Sequence, residues 1–260
     1  MDDDEAEQPA APLDALNSTF YGAEPAVYFR MKLTLLLLVA GREDEVGALI
    51  DAGVSYHDLV LMTDEEGDEQ VARARLQAYL VTESESLLHH AAETLIRLFL
   101  AHADMPACPW LEVAGLLNFR EFRQRNADLV EQAERHGLDE AISEVFLAGA
   151  DAAAEYVEPA RRVLLMAAAR LRDDANAYNS VKHGFAVQPG EASFSIAPSD
   201  GGGTPFAAGG PAISYLERQP DPDGGATWYT KTQWVDVRSN LLLTQLITSL
   251  IDSLWSVARA

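Results

Sequence analysis

The chain has 260 residues with 41 acidic and 19 basic side chains, which gives a formal net charge of −22. Apolar residues make up 48% of it, enough for one large or two small folded domains, and this excludes a wholly disordered or collagen-like chain. So much negative charge repels phosphate, which excludes general coating of DNA or RNA but not a small basic site. With one cysteine, Cys108, no disulfide can form within the chain, and we expect a structural thiol.

Residues 1–24 contain seven acids and no base, a composition that predicts a mobile acidic tail. A secretory signal has a basic start followed by an apolar stretch, whereas this segment starts with acidic residues and has no such stretch. The most apolar run, Leu33–Ala40, is far shorter than the roughly 20 residues that span a bilayer. We therefore expect a cytoplasmic protein without a membrane partner.

Residues 25–66 predict a small helical segment. A first helix would cover Pro25–Ala40, because proline suits the first helical turn and apolar residues then recur at helical spacing. A buried strand over Leu33–Val39 is the alternative. Short helices are predicted over Glu43–Ala52 and Tyr56–Met62.

The apolar periodicity within residues 67–260 predicts a helical bundle domain with a small β insertion, so the predicted fold class is mainly α. The predicted helices cover residues 68–104, 109–136, 139–149, 152–183 and 237–258. The glycine- and proline-rich residues 185–235 predict a β-hairpin or small sheet. Trp228, Tyr229 and Trp234 would form its own small core, with a stacking platform for bases as the alternative.

The most informative segment closes the fourth helix of this predicted bundle. Asn179 and His183 are four residues apart and share a helical face, and Asn176 extends this polar strip. A histidine in the last turn of a helix lies near the negative end of the helix dipole, which favours the imidazolium form. With Lys182 beside His183, this helix end could bind an anion such as phosphate.

This segment, Tyr178-Asn179-Ser180-Val181-Lys182-His183, resembles the signature of the HEPN superfamily. Members of that superfamily are helical bundles, many of them dimeric RNases or components of toxin–antitoxin and defence systems. The match comprises Asn179, His183 and a Lys-His-Gly ending, whereas Tyr178 stands where the family has arginine. In the family, the arginine and the histidine act as a pair in cleaving RNA at the 2′-hydroxyl.

The resemblance therefore implies a HEPN-like bundle that has lost its standard catalytic pair. It would form a homodimer through the bundle helices and act in protein interaction or RNA-associated regulation or defence. An arginine content of 16 against three lysines fits a GC-rich bacterial source. No cofactor is expected. The alternative interpretation of Asn179 and His183 is that they cap the helix and bond to the β insertion.

Two enzymatic alternatives remain open. The first is an atypical RNase that uses His183 and Asn179, with Lys182 nearby. The second is a metal-dependent hydrolase on the first long helix, where Glu85, His89 and Glu93 follow one another at i, i+4 spacing. A glutamate–histidine network within that helix would explain the same pattern.

A further hypothesis joins the two polar strips. His89 or Glu93 would orient His183, as a carboxylate orients a general base. It fails if the two strips lie on opposite sides of the bundle.

Three other features are candidates for binding. Arg120, Arg123 and Arg125 form the densest basic cluster, which either pairs with nearby acids or contacts RNA or an acidic partner. Tyr178 and Asn176 would belong to the binding surface of the signature helix. The last helix has a wide apolar face, which would form the interface if the chain is purely an assembly protein.

Overall fold

A computed structural model describes residues 13–61, 69–134, 137–149, 154–173, 175–182, 187–196, 206–221 and 223–260. Within these ranges the chain is mainly α-helical with two small antiparallel sheets, which confirms the predicted fold class. The helices are α1 (Leu13–Gly22), α2 (Pro25–Gly41), α3 (Glu43–Asp51), α4 (Glu69–Ala103), α5 (Pro109–Gly115), α6 (Phe119–Glu134), α7 (Asp139–Leu147), α8 (Ala154–Asp173), α9 (Ala175–Lys182) and α10 (Val237–Ala258). The strands are β1 (Val54–Tyr56), β2 (Leu59–Leu61), β3 (Val187–Ile196), β4 (Phe206–Pro220) and β5 (Ala226–Trp234).

The chain divides into two compact units. Unit 1 comprises the described residues within 1–28, 93–172 and 247–260, and unit 2 comprises those within 29–92 and 173–246. This division differs from the boundary near residue 66 that the sequence suggested, because α2, α4 and α10 each contribute residues to both units.

Unit 1 has a core of aliphatic and aromatic side chains from several helices. Leu95 and Ile96 of α4 are fully buried, and the Phe99 ring lies 5.6 Å from the Phe146 ring of α7. Asn126 is buried as well, and its Nδ2 donates a hydrogen bond of 3.0 Å to the carbonyl of Ala168. The amide nitrogen of this polar side chain is thus paired within an apolar core.

Unit 2 contains the three-stranded sheet, in the order β3-β4-β5. The central strand β4 supplies the most buried residues of the sheet, and they join α9 and α4 in one apolar cluster. Its members are Val81, Ala177, Val181, Val187, Ile213, Tyr215 and Val235. The predicted β insertion is therefore part of the core of unit 2.

The segments before α4 differ from the prediction at two places. Leu13–Gly22, assigned to the tail, form helix α1, while residues 1–12 lie outside the described residues. The helix predicted over Tyr56–Met62 is wrong, because β1 and β2 form a hairpin there. Its turn places His57 at a φ of 53°, and a positive φ in a two-residue turn matches the twist of paired strands. The helix predicted from Pro25 is confirmed, and the alternative strand within it is wrong.

The long helix predicted over 109–136 is divided. The helix over 109–136 becomes α5 and α6, because the side-chain oxygen of Asn118 accepts the backbone N–H of Arg120 at 3.2 Å and begins a new helix. Of the helix predicted over 152–183, the described residues are helical in α8 and α9, and residue 174 lies outside the described residues. The last helix begins as predicted, where Asp236 accepts the backbone N–H of Ser239 at 3.0 Å.

The aromatic residues of β5 are mostly exposed, so the small core predicted for them is wrong. The exposed fractions are 61% for Trp228, 49% for Tyr229 and 49% for Trp234. The Trp234 indole donates to the carbonyl of Ala192 at 3.2 Å. The sheet instead buries side chains of its central strand, which has neighbours on both sides.

Helix α10 is the one helix of the described residues long and apolar enough, by length and composition alone, to cross a membrane. Its side chains Ile247, Ile251 and Leu254 are fully buried, whereas Leu242 and Leu246 are exposed. Buried apolar helices of protein cores meet the same criteria of length and composition, so the observation is weak evidence for a span.

Candidate functional site

The described part of the signature segment lies on α9, which belongs to unit 2. Its inward face holds Ala177 and Val181 in the apolar cluster of that unit. The opposite side leaves Asn179 and Lys182 exposed and Tyr178 half-buried. His183 lies outside the described residues, so the catalytic residue of the RNase hypothesis has no described position.

Tyr178 stacks on His89 of α4. The two ring centroids are 3.7 Å apart and the ring planes differ by 6°. His89 is buried, and the Lys182 ammonium lies 6.0 Å from the centre of the Tyr178 ring. The polar strip of α4 and the signature helix therefore meet at His89 and Tyr178, within the same unit.

Glu85, one helical turn before His89, is also buried and is bonded to helix α10. The Nδ2 atom of Asn240 donates to the Glu85 carboxylate at 3.0 Å, and it lies 3.4 Å from the hydroxyl oxygen of Ser84. The Asn240 carbonyl accepts the hydroxyl of Thr244 at 2.8 Å. A buried carboxylate is costly unless hydrogen bonds compensate it, so this network fixes the side chains of α4 against the start of α10.

Glu93 has a different environment from Glu85 and His89. It belongs to unit 1 and accepts a hydrogen bond of 2.9 Å from Nε of Arg97. The Nη1 atom of Arg97 also donates to the carbonyl of Leu116. The Arg97 guanidinium lies 4.1 Å from the centre of the Phe122 ring. The three residues at i, i+4 spacing therefore have three different sets of partners.

Asn176 connects α9 to the sheet. Its Nδ2 donates to the Glu217 carboxylate of β4 at 2.8 Å, and Lys231 of β5 lies 3.3 Å from the same carboxylate. The hydrogen bond from Asn176, together with Lys231, lowers the pKa of Glu217 below its ordinary value. The ionised carboxylate thus links helix α9 to two strands.

The basic cluster of α6 is engaged in local contacts in unit 1. Arg125 donates to the carbonyl of Leu100 at 3.2 Å and pairs with Asp104 at 3.3 Å. The Arg123 guanidinium lies 5.6 Å from the centre of the Phe119 ring, and Arg120 is exposed. Arg125 follows the ion-pairing alternative that the sequence left open.

Metal binding needs several ligands that converge on one point. Among the described residues, no group of three or more His, Cys, Asp or Glu side chains is placed to hold a metal ion. From other helices, Asn240 contacts Glu85 and Tyr178 contacts His89. An asparagine amide nitrogen and a phenol ring are poor metal ligands.

A second polar pair, in unit 1, was missed by the sequence analysis. The Tyr21 hydroxyl lies 3.1 Å from Nε2 of His102, whose Nδ1 donates to the carbonyl of Leu98 at 2.7 Å. Both side chains line a cavity of about 270 Å³, together with Glu144 of α7. Tyr21 was assigned to a mobile tail, so no pattern in the sequence pointed to a partner for His102.

Burial sets the protonation state of this pair. It lowers the pKa of His102 below its ordinary value of 6.5, and it raises the pKa of Tyr21. The neutral imidazole that results accepts a hydrogen bond from the Tyr21 hydroxyl at Nε2, while Nδ1 donates to the Leu98 carbonyl. The bond at Nε2 joins α1 to α4, and the bond at Nδ1 fixes the ring on its own helix.

Comparisons with models of protein families, with curated proteins and with solved structures gave no match to this chain.

The hydrogen bond between Asn240 and Glu85 should appear as an energetic coupling. We expect Asn240→Ala and Glu85→Ala each to lower the free energy of unfolding, by roughly 1–3 kcal/mol, because each leaves a buried polar group without this partner. The double variant should lose less than the sum of the two, by about 1 kcal/mol. Urea unfolding of the four proteins measures the difference, and strictly additive losses would contradict the network.

His102 should titrate below pH 6.5. Above that value the imidazole is neutral in both the folded and the unfolded chain; as the pH falls, the unfolded chain takes up its proton first, and folding stability declines. NMR titration of the His102 ring, assigned by comparison with His102→Gln, measures the folded pKa. A value of 6.5 or higher would contradict the buried pair.

Proposed function

We propose that this chain is a HEPN-like, non-catalytic helical protein that acts by binding other proteins. The observation that carries the proposal is the amount of exposed apolar surface in unit 2. In residues 29–61 alone, ten large apolar side chains are exposed: Met31, Leu35, Leu37, Leu38, Leu49, Ile50, Val54, Tyr56, Leu59 and Val60. Soluble monomers seldom expose contiguous apolar patches larger than a few hundred Å² unless the patch binds something.

Two clefts in unit 2 add to this surface. One, of about 510 Å³, lies between α2, α4 and α10 and is lined by apolar side chains such as Leu37, Leu80 and Leu241. The other, of about 410 Å³, lies between α2, α3 and α4, where Val39, Ile50 and Tyr79 line it. Clefts with mainly apolar walls at a helical surface are the usual receptors for side chains of a protein partner.

The polar residues that an enzyme would use also support a binding protein. Tyr178 occupies the position of the family's arginine and stacks on His89. Asn176 bonds to Glu217, and Glu85 bonds to Asn240. Each of these contacts joins two elements of unit 2, which is a positioning role.

The atypical RNase that uses His183 and Asn179 is the second candidate. It is favoured by one observation, the exposure of Asn179 and Lys182 at the end of α9. An exposed amide and ammonium at the C-terminal end of a helix could contact the phosphates of a single-stranded RNA.

Photo-cross-linking tests the proposed function. A p-benzoylphenylalanine in place of Tyr56, on the apolar surface, should form a protein adduct in the native cells. The matched control replaces Tyr156 of α8, a tyrosine that is also exposed but lies in unit 1. Adducts should form much more strongly at position 56, because an interface excludes water and holds a partner close to the probe. Equal or absent cross-linking at the two positions would contradict the proposal.

An assay with purified protein distinguishes the enzymatic alternatives. Cleavage of single-stranded RNA by the wild type that is lost in His183→Ala would establish the RNase in place of a non-catalytic protein. A stoichiometric metal in elemental analysis, with hydrolysis lost in both His89→Ala and Glu93→Ala, would establish the metal-dependent hydrolase.

A further inference from the structure

The cavity of about 270 Å³ in unit 1 lies where several helices end. Its lining includes residues from the last turns of four helices: Tyr21 of α1, His102 of α4, Glu144 of α7 and Val257 of α10. The C-terminal end of a helix carries a partial negative charge and carbonyl groups without an intrahelical partner. Helix α5 contributes its first residue instead, but this residue is Pro109, which has no N–H to offer an anion. The surroundings of the cavity therefore favour a positive charge.

The polar side chains that line the cavity offer hydrogen-bond acceptors. Nδ1 of the neutral His102 ring donates to the Leu98 carbonyl, so its Nε2 accepts the hydrogen bond from the Tyr21 hydroxyl. The phenol oxygen of Tyr21 has then used its proton and retains its lone pairs. Glu144 adds a carboxylate, which in its ionised form is only an acceptor. A ligand that satisfies these oxygen atoms must bring hydrogen-bond donors.

Glu144 is half-buried, and none of the residues that the structure describes forms a hydrogen bond or an ion pair with it. A carboxylate in the last turn of a helix is also disfavoured by the helix dipole. The basic residue that follows α10, Arg259, is not part of the cavity lining. Its guanidinium donates to the carbonyls of Tyr21 and Ala23. It also lies 3.6 Å from the Glu24 carboxylate. Glu144 is therefore the charge that a cationic ligand would compensate.

The remaining lining side chains are apolar, and one of them has an unusual backbone conformation. Met105 follows the end of α4 with a φ of 45°, a conformation that glycine usually provides at the end of a helix. Its N–H donates to the His102 carbonyl at 3.0 Å. A methionine at this position supplies a wall of the cavity that glycine would lack, beside Pro106, Pro109 and Val145. Apolar walls around a few polar groups are typical of sites for small organic molecules.

We propose that this cavity binds a small primary alkylammonium ion. The ammonium group pairs with the Glu144 carboxylate and donates to the phenol oxygen of Tyr21, while the alkyl chain lies against Met105 and its apolar neighbours. A volume of about 270 Å³ is below the usual range of pockets for drug-sized ligands, so the ligand is a small free amine. This site goes beyond the protein binding proposed for unit 2, and neither depends on the other.

An NMR titration with three probes of one length tests the charge requirement. The probes are n-pentylamine as the cation, 1-pentanol as the neutral molecule and pentanoate as the anion, and the ring signals of His102 report binding. Salt at about 0.15 M screens the general attraction of a chain of net charge −22 for cations. Pentylamine should bind with a Kd in the millimolar range or below. The alcohol should bind about tenfold more weakly, and pentanoate should not bind measurably.

A matched pair of variants tests the role of Glu144. Glu144→Gln keeps the size of the side chain and removes its charge, so it should weaken pentylamine binding by about tenfold or more. Glu140→Gln is the control, because Glu140 lies on the same helix but is exposed and does not line the cavity. This variant should bind like the wild type. Circular dichroism checks that both variants are folded, and the three probes on the wild type decide alone if Glu144→Gln is not.

Several results would overturn the site. The absence of a saturable shift with pentylamine would do so, and so would pentanol that binds as tightly as pentylamine, or equal binding by the two glutamine variants. Nα-acetyllysine amide that binds more tightly than pentylamine would assign the cavity to a lysine side chain of another protein and overturn the free amine. Cross-linking at position 56 is a separate measurement in unit 2, so this inference and the proposed function can fail independently.

Discussion

The structure depends on one constraint: helix α2 carries two apolar faces and can bury only one of them within its own unit. The inward face secures the helix through Phe29, Leu33 and Leu36, with the Phe29 ring 5.2 Å from that of His90 on α4. The outer face leaves Met31, Leu35 and Leu38 in water. Exposing such a stripe costs free energy in the isolated chain, and a partner that covers it recovers that free energy. The two clefts of unit 2 border the same helix, at Leu37 and at Val39.

The polar residues of unit 2 join its helices to one another and to the sheet. The His89 ring stacks on the Tyr178 ring. The Glu85 carboxylate accepts a hydrogen bond from Asn240, and the Glu217 carboxylate accepts one from Asn176. These contacts connect α4 with α9, with the start of α10 and, through α9, with the sheet. Buried polar networks of this kind stabilise one arrangement of elements because a shifted arrangement would leave polar groups unsatisfied. The segment that resembles the HEPN signature thus connects α4 with the sheet.

Much of the fold could be predicted from the sequence, because a long amphipathic helix shows a clear periodicity of apolar residues. The extents of α4 and α10 follow from such periodicity. The division of the helix over 109–136 depends instead on one hydrogen bond to the side chain of Asn118, which no periodicity reveals. The hairpin at β1 and β2 was missed because its three-residue strands are too short for an alternating pattern to stand out from a helical one.

The candidate site was less predictable, since it is made by contacts between distant residues. The i, i+4 pattern placed Glu85 and His89 on one face of α4, but nothing in the sequence indicated that Asn240 and Tyr178 would contact them. The pair of Tyr21 and His102 was missed for the same reason. The apolar run within Pro25–Gly41 was visible from the start, yet only the structure separates its covered face from its exposed one.

The central claim is that unit 2 binds another protein through its exposed apolar side chains, and site-specific photo-cross-linking tests it most directly. A p-benzoylphenylalanine at position 56, in unit 2, should form a protein adduct, and the same probe at position 156, in unit 1, should form much less of it. Equal cross-linking at the two positions, or none at either, would contradict the claim.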